Sequence, residues 1–572
     1  MNDITIQIMQ VPLEFFKELE SLKKVNNKRI QVLLRKYPRG NELYSRDQLI
    51  SSYKNYCEKG FLEFDDQILE DLKLKPSRTM SGVTVITVLT KPYPCPGRCI
   101  FCPNDIRMPK SYISSEPGAQ RAARNAFDPY LQTYNRLLAL KNIGHNTEKI
   151  ELIVLGGTWS YYPIEYKIWF IKRCFEAMND FGFSDNRIEK PSMLVEDPVK
   201  DKDAIITYNS TIDFKKNVDN ENATWDELFQ EQLKNQNAKS RNVGLVLETR
   251  PDFVTPKEVL ELRKFGATKI QIGVQSLNDK ILELNQRDTT RTQIINAVNL
   301  IRAGGFKIHA HWMPNLYGSS IEIDKQDYLD LFEIVKPDEL KIYPTSIIKG
   351  TLLYKYFNED KYKPYSNEEL IDLLKFCLKN TPKYCRLTRI IRDIPSNEIE
   401  AGNKTTNLRQ IIENELIKEE TPCQCIRCRE IKNTKVDFDD LEKNVIEYKS
   451  DTGTDYFISL ETQNKIAGFL RLFLSDKNYQ RKNPNSNHLY EEIKDSAIIR
   501  EVHVYGQVVG IGKSIGEKAQ HTGVGKTLIK IAEEISFKNN FKKISVISAI
   551  GTREYYKKLG YSLQKLYQTK EL

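Results

Sequence analysis

Nowhere in the 572 residues does an apolar run reach the roughly eighteen positions that a membrane-crossing helix needs. The first residues, MNDITIQIMQVPLEFF, lack the basic start and apolar stretch of a secretory signal. No internal repeat of roughly 20–50 residues is present, which excludes solenoids and propellers. These absences point to the cytoplasm, with no membrane partner. In that compartment cysteines stay reduced. The ten cysteines therefore read as metal ligands or catalysts rather than staples. The stretch PYPCPGRCIFCPND holds three of them, Cys95, Cys99 and Cys102, too closely spaced to pair among themselves.

What is present exceeds a single core. The length predicts three or more modules. Net charge is +9, a mild excess that suits a polyanionic partner without requiring one. The excess is local: residues 21–40 carry Lys23, Lys24, Lys28, Arg29, Arg35, Lys36 and Arg39 with no acid. Charge patterning leaves two readings open there, a solvated helix face and a phosphate-binding arm.

After a basic helical region, 1–75, apolar runs of strand length recur: VTVITVLT, ELIVLGG, VGLVLET, TKIQIGVQS, FKIHAHWMP, DELKIYPT and RLTRIIRDIP. Helical periodicity fills the gaps, as in PKEVLELRKFG and TQIINAVNLIRAGGF, each stopped by glycine. This alternation predicts an α/β module over 76–400 with a parallel sheet, a full or partial barrel. A polar stretch, about 184–240, reads as an insertion or loop. The pattern breaks over 401–435. From 436 to 572, successive strands, a helix, a strand and a short helix predict a separate α+β domain.

Zinc usually takes four ligands, and Cys95-x3-Cys99-x2-Cys102 has no fourth cysteine or histidine nearby. Three thiolates on a four-iron cluster leave one iron open to a ligand. The triplet, with Phe101 before its last cysteine, resembles the CxxxCxxC signature of the radical S-adenosylmethionine superfamily; a zinc knuckle is the alternative. The resemblance implies a [4Fe-4S] cluster and S-adenosylmethionine, whose sulfonium is cleaved to a 5′-deoxyadenosyl radical. It also makes Gly156, Gly157 and Thr158 of LGGT the loop for the methionyl amine, although read alone this is an ordinary strand-end turn. Glu248 and Arg250 in LETRPD, Gln275 in IGVQS and Lys341 in LKIYPT fall at further strand ends, where parallel β/α folds keep their sites.

In the last domain, GIGKS and GVGKT look like P-loop ends, but five residues before each Gly-Lys pair stand Gln507 and Gln520 instead of glycine. What remains is Gln520-His521-Thr522-Gly523-Val524-Gly525, opening an amphipathic helix whose bared amides suit a pyrophosphate. This Q-x-x-G-x-G form resembles the acetyl-CoA loop of GCN5-related (GNAT) acetyltransferases. There the preceding strand, here Glu501, Val502, His503 and Val504, lines the acyl arm. A downstream tyrosine protonates the departing thiolate, and TREYYKKLGY supplies Tyr555 and Tyr556. One of the two is expected to be a core-packing residue.

The combination resembles the Elongator catalytic subunit family, radical S-adenosylmethionine enzymes fused to an acetyltransferase that modify uridine 34 of tRNA. The resemblance runs from about residue 25 to the C-terminus and is carried by CPGRCIFCP, SYISSEPGAQRAARNAFDPYLQT, LGGT, LETRPD, IGVQS, HAHWMPNL, LKIYPT, RDIP, REVHVYG, QHTGVG and REYYKKLGY. It implies a tRNA uridine(34) acetyltransferase. The radical takes hydrogen from the acetyl methyl of acetyl-CoA, the carbon radical adds to uridine C5, and thioester hydrolysis leaves a carboxymethyl group. Cys95, Cys99 and Cys102 would hold the cluster; Glu501–Val504, Val524, Gly525, Lys526 and Tyr556 would meet acetyl-CoA. Lys149 matches a family position near the radical site that also meets acetyl-CoA; its own sequence context shows only a lysine before a strand. An electron-donor protein is implied, and the compact cysteine spacing looks like the type that works without other Elongator subunits. The anticodon stem-loop would meet the basic arm and Arg107, Lys110, Arg121 and Arg124, its target base splayed out.

A second triplet, Cys423-x-Cys425-x2-Cys428, sits in the linker and reads as a structural zinc site with a distant fourth ligand among His309, His311 and Cys385. Cys57, Cys174 and Cys377 read as small buried hydrophobes. Two other functions compete: a protein lysine acetyltransferase with a structural iron–sulfur module, and an RNA-binding scaffold with a decayed site.

Overall fold

Seven parallel strands, paired in the order in which they occur along the chain, carry the centre of the molecule: β1 Thr84–Leu89, β2 Lys149–Leu155, β3 Arg241–Thr249, β4 Lys269–Gln275, β5 Lys307–Trp312, β6 Glu339–Ile342 and β7 Arg386–Arg389. All seven were legible as apolar runs. The computed structural model describes residues 11–21, 27–38, 43–72, 82–182, 221–432, 438–476, 491–505 and 521–572. Among these, β1 and β7 do not pair with each other, so the sheet is a half-barrel.

Local signals explain the crossover helices. Thr255 caps helix Pro256–Lys264 by accepting from the Glu258 amide, with proline at the first turn. Thr290 and Gln293 form a capping box on Arg291–Ala303. Past the two helix ends, Gly266 and Gly305 take φ of +91° and +78°, which favours glycine. The polar stretch expected to run to 240 ends earlier. Residues 183–220 lie outside the described part, but Trp225–Asn235 is a helix. Thr224 and Glu227 box its start, and Trp225 packs on Phe265 at 4.9 Å. A single capping signal and one aromatic overrode a polar composition.

The N-terminal region is helical, as expected: Leu13–Glu20, Asn27–Lys36, Arg46–Glu58 and Asp66–Leu72 bury Phe15, Phe16, Leu33 and Tyr53 in a core of their own. Lys23, Lys24 and Arg39 of the basic arm lie outside the described residues. Arg29, Arg35 and Lys36 are exposed, and Lys36 pairs with Glu18 at 2.6 Å.

The C-terminal domain is a second seven-stranded sheet: β8 Glu442–Ser450, β9 Gly453–Thr462, β10 Lys465–Ser475, β11 Ala497–Val504, β12 Lys543–Val546, β13 Ser562–Leu563 and β14 Gln568–Glu571, ordered β8-β9-β10-β11-β12-β14-β13. Strands β11 and β12 are parallel and pair only over Ala497–Ile499 with Ile544–Val546. Beyond that they splay, leaving Glu501–Val504 paired to β10 alone. Helix His521–Lys538 packs against β9, β10 and β11.

The two sheets are locked by buried charge. Arg500 of β11 donates to Asp455 at 2.7 Å and to Asp338, which precedes β6. Arg471 reaches Asp338 at 3.3 Å, and Arg302 reaches Asp455 at 3.0 Å. All five side chains are essentially buried. Tyr567 adds a hydrogen bond to the Gly304 carbonyl at 2.7 Å.

Candidate active site

A cavity of about 930 Å³ opens at the carboxyl ends of the barrel strands. It gathers Cys95, Cys99, Cys102, Gly156, Gly157, Thr158, Glu248, Arg250, Gln275 and Lys341. The cysteine loop follows β1, and its thiols have neighbours from two other loops. Cys95 Sγ is 3.9 Å from Thr158 Oγ1, and Arg287 Nη1 donates to Cys99 Sγ at 3.7 Å. Burial, with Cys99 beside it, pushes the Cys102 thiol up to about 12. Gly156 has φ +134°, and a Cβ there would stand 2.0 Å from Thr90 Oγ1, so LGGT is a glycine turn by necessity.

Arg250 holds Asp252 with Nε at 2.9 Å and donates Nη2 to the Arg287 carbonyl at 2.9 Å. Its Nη1 is buried with no hydrogen-bond partner. Gln275 sits at φ +66°, and its Oε1 is likewise buried and unpartnered. An unsatisfied donor, an unsatisfied acceptor and three thiols in one cavity fit a thiolate-held cluster with an amino-acid ligand, since buried polar groups are rarely left unpaired. Deeper in, burial raises the Glu248 carboxyl and brings the Lys341 ammonium down to about 8. Gln271 accepts from Lys341 and bonds His311 Nε2 at 3.0 Å. Sequence reasoning missed Arg287, Gln271 and Arg392 here. The signal that could have found Gln271 is a polar residue inside the otherwise apolar run KIQIGV.

A second cavity, about 1220 Å³, lies between the amino ends of the barrel strands and the splay of β11 and β12. It gathers Lys149, Glu501, Val502, His503, Tyr555 and Tyr556. Lys149 thus stands with the acetyltransferase residues and not at the cysteine end; burial and Arg241 lower its pKa. Lys307 and Arg471 hold Glu501 below the usual carboxylate range against its burial. His503 stacks on Phe469 at 5.6 Å, and burial lowers it to about 4. Gly523 falls in the first turn of helix His521–Lys538, where amides lack intrahelical partners, and Val524 and Gly525 follow it. A Cβ at Gly525 would stand 2.9 Å from the Tyr555 hydroxyl and 3.7 Å from Val504 Cγ2, so the loop, the tyrosine and the strand meet. Tyr556 is the more buried of the two tyrosines, packed on Tyr561 at 5.9 Å, while Tyr555 is 41% exposed. Lys526 is exposed, and Gln520 lies outside the described residues.

The linker triplet is real as a cluster: the sulfur atoms of Cys423, Cys425 and Cys428 lie within 4.8 Å of one another. None of the three expected fourth ligands joins them. His309 is turned to Thr388 at 2.9 Å and to Glu339 at 3.2 Å, His311 to Gln271, and Cys385 stays outside the group. Glu413 Oε1 accepts from Cys428 Sγ at 3.5 Å. Among the basic residues, Lys110 and Arg121 line the cysteine-side cavity, and Arg107 is paired with Asp105 at 2.8 Å.

Family models agree with this division. Residues 218–324 match the radical SAM superfamily, 337–418 its C-terminal domain, and 425–561 the GNAT acetyltransferase family. The chain is 36% identical to a "tRNA uridine(34) acetyltransferase" of Methanocaldococcus infernus over 97% of both chains. It is 33% identical to "Elongator complex protein 3" of Saccharomyces cerevisiae, covering 89% of this chain and 86% of that one. A solved structure, the archaeal Methanocaldococcus infernus Elp3 with an N-terminal deletion, superposes with a TM-score of 0.66 at 33% identity, over 86% of this chain and 99% of that one. No helix among the described residues is long and apolar enough to cross a membrane.

Proposed function

The chain belongs to the family of tRNA uridine(34) acetyltransferases that includes Elongator complex protein 3, and from that premise we propose that it installs a carboxymethyl group on the wobble uridine of tRNA, with acetyl-CoA as carbon donor. The observation that carries this reading is that Cys95, Cys99 and Cys102 share one cavity with Arg250 and Gln275, while Lys149, Glu501, His503 and both tyrosines line another. When bound, a [4Fe-4S] cluster with S-adenosylmethionine supplies a 5′-deoxyadenosyl radical.

Cys95, Cys99 and Cys102 would hold the cluster. The unpartnered Arg250 Nη1 and Gln275 Oε1 would orient the methionyl carboxylate and amine, with Gly156, Gly157 and Thr158 closing over them. Glu248 and Lys341 would handle protons within the same pocket. On the other side, the open edge of Glu501–Val504 would take the acyl arm and the amino end of helix His521–Lys538, at Gly523, the pyrophosphate. Lys149 would meet the thioester, and Tyr555 or Tyr556 would protonate the departing thiolate. Lys110 and Arg121 at the cysteine-side mouth suit the anticodon backbone. Zinc in the linker triplet, an electron-donor protein and independence from further Elongator subunits complete the proposal.

Anaerobic reconstitution with iron, sulfide, S-adenosylmethionine, acetyl-CoA and tRNA should yield carboxymethyluridine, detected by nucleoside mass spectrometry. Cys99→Ala should abolish it. Acetyl transfer to protein lysines that survives Cys99→Ala, with no modified uridine, would refute the reading.

A further inference from the structure

The two cavities share a boundary made of an unusual layer of side chains. Barrel interiors are generally filled by layers of Val, Ile and Leu. Here one layer near the amino ends of the strands consists of Val85 on β1, Glu151 on β2, Lys269 on β4, Glu339 on β6 and Arg386 on β7. Each of these five residues lines both cavities. Register ties them together: Val85 pairs with Glu151, Glu151 with Gly244, and Glu339 with Arg386. At its place on β3 the layer has glycine and so lacks a side chain.

The charges in the layer satisfy one another. Lys269 Nζ is 2.7 Å from Glu151 and 3.1 Å from Glu339. Lys307 is 3.1 Å from Glu339 and also pairs with Glu501, the acyl-side strand residue. Lys149 precedes Glu151 by two positions on β2 and so shares its face, leading from the acetyltransferase side to the layer. Lys269 and Glu339 each have more than one partner of opposite charge, so one pair can open while another still holds the charge, and polar side chains can hydrogen-bond amide groups threading past.

We propose that this layer is a passage: the acyl end of a bound thioester crosses it from the acetyltransferase side and presents its methyl group inside the barrel, below the cysteine loop. The inference rests on the reading that the chain uses an acyl-CoA thioester. It makes Lys269 and Glu339 positioning residues that part around the arm, and it assigns the missing side chain at Gly244 a purpose, because a Cβ there would come within 3.3 Å of Glu151 Cγ and narrow the opening.

The test uses the full chain without its cluster. A CoA thioester with a diazirine on a short acyl group is bound and photolysed, and the labelled residues are mapped by mass spectrometry. The same is done for a sealed variant, Gly244→Leu with Lys269→Met and Glu339→Leu; apolar replacement of a buried ion pair is generally tolerated by the fold. In the unaltered chain label is expected on β4 and β6, at Lys269, Gln271 or Glu339. In the sealed variant that label should drop about tenfold while CoA affinity stays within about twofold. Label confined to β11 and helix His521–Lys538 in the unaltered chain overturns the passage, as does carboxymethyluridine formation at an undiminished rate by the sealed variant. Label inside the barrel, from an enzyme that when fully loaded makes no carboxymethyluridine, upholds the passage and refutes the reaction assigned above.

Discussion

Arg250 occupies the space that a side chain at position 97 would need: a Cβ built on Gly97 would stand 2.0 Å from Arg250 Nη1. The guanidinium cannot yield easily, because Asp252 and the Arg287 carbonyl hold its other nitrogens. Gly97→Ala should therefore displace either Arg250 or the cysteine loop, at a cost of about 1–3 kcal/mol. S-adenosylmethionine affinity of the reconstituted protein is expected to fall about tenfold, with bound iron reduced, while the unfolding midpoint moves by a few degrees at most. Equilibrium binding and iron analysis check this; unaltered affinity would dissociate Arg250 from ligand binding.

Lys341 sets a pH limit. Its pKa is about 8, below that of a free lysine because the barrel interior disfavours the ammonium. It is charged below that value and neutral above it. If the ammonium balances Glu248 and an anionic ligand, S-adenosylmethionine binding should weaken as pH rises from about 7 to about 9. Lys341→Met should bind weakly across the range and flatten the profile. A slope that persists in Lys341→Met assigns the titration to another group.

Asp338 answers three arginines, and its carboxyl is held below the usual range by Arg500 and Arg471 despite complete burial. A depressed pKa stabilises the fold above the unfolded value of about 3.9, and the contribution is lost as pH falls through the folded value. Asp338→Ala takes one of two carboxylates from each of Arg471 and Arg500, which keep Glu501 and Asp455, and should cost about 3–5 kcal/mol at neutral pH. Denaturant unfolding monitored at pH 7 gives the number directly. A loss below about 1 kcal/mol would mean that water replaces the carboxylate there.

The linker triplet should carry one tetrahedral metal per chain. Cys425→Ser is expected to lose zinc by elemental analysis, and cobalt substitution in the unaltered protein should give thiolate charge-transfer bands. Chelation ought to lower the unfolding midpoint without touching the iron content of the barrel. Full zinc retention in Cys425→Ser would remove the triplet from the ligand set.

The strands of the first sheet were legible because parallel barrel strands are buried on both faces and read as short apolar runs. The helix Trp225–Asn235 was hidden inside a polar stretch, since its few buried residues, Leu228, Gln232 and Asn235, include two amides. Strand β8 alternates exposed and half-buried positions and offered no apolar run. Motif spacing brought out the three cluster cysteines and the GVG loop. The grouping of His309 and His311 inside the barrel could not be read, because strand alternation says which face a side chain takes but not which end of the barrel it serves. Lys149 illustrates the same limit: the family resemblance set it near the radical site and its own context showed only a lysine before a strand, whereas the seven-residue β2 puts it at the opposite mouth.

The buried arginines between the sheets bear on how this protein can be divided. A shortened chain beginning near residue 436 would keep Arg471 and Arg500 but lose Asp338, and one ending near residue 435 would keep Asp338 and Arg302 but lose Asp455. The first would retain Glu501 and Asp455 beside its arginines, whereas the second would leave Asp338 without Arg471 and Arg500 and Arg302 without Asp455. The two halves thus match separate family models yet share one buried charge network, so exchanging either half means redesigning the seam around Asp338.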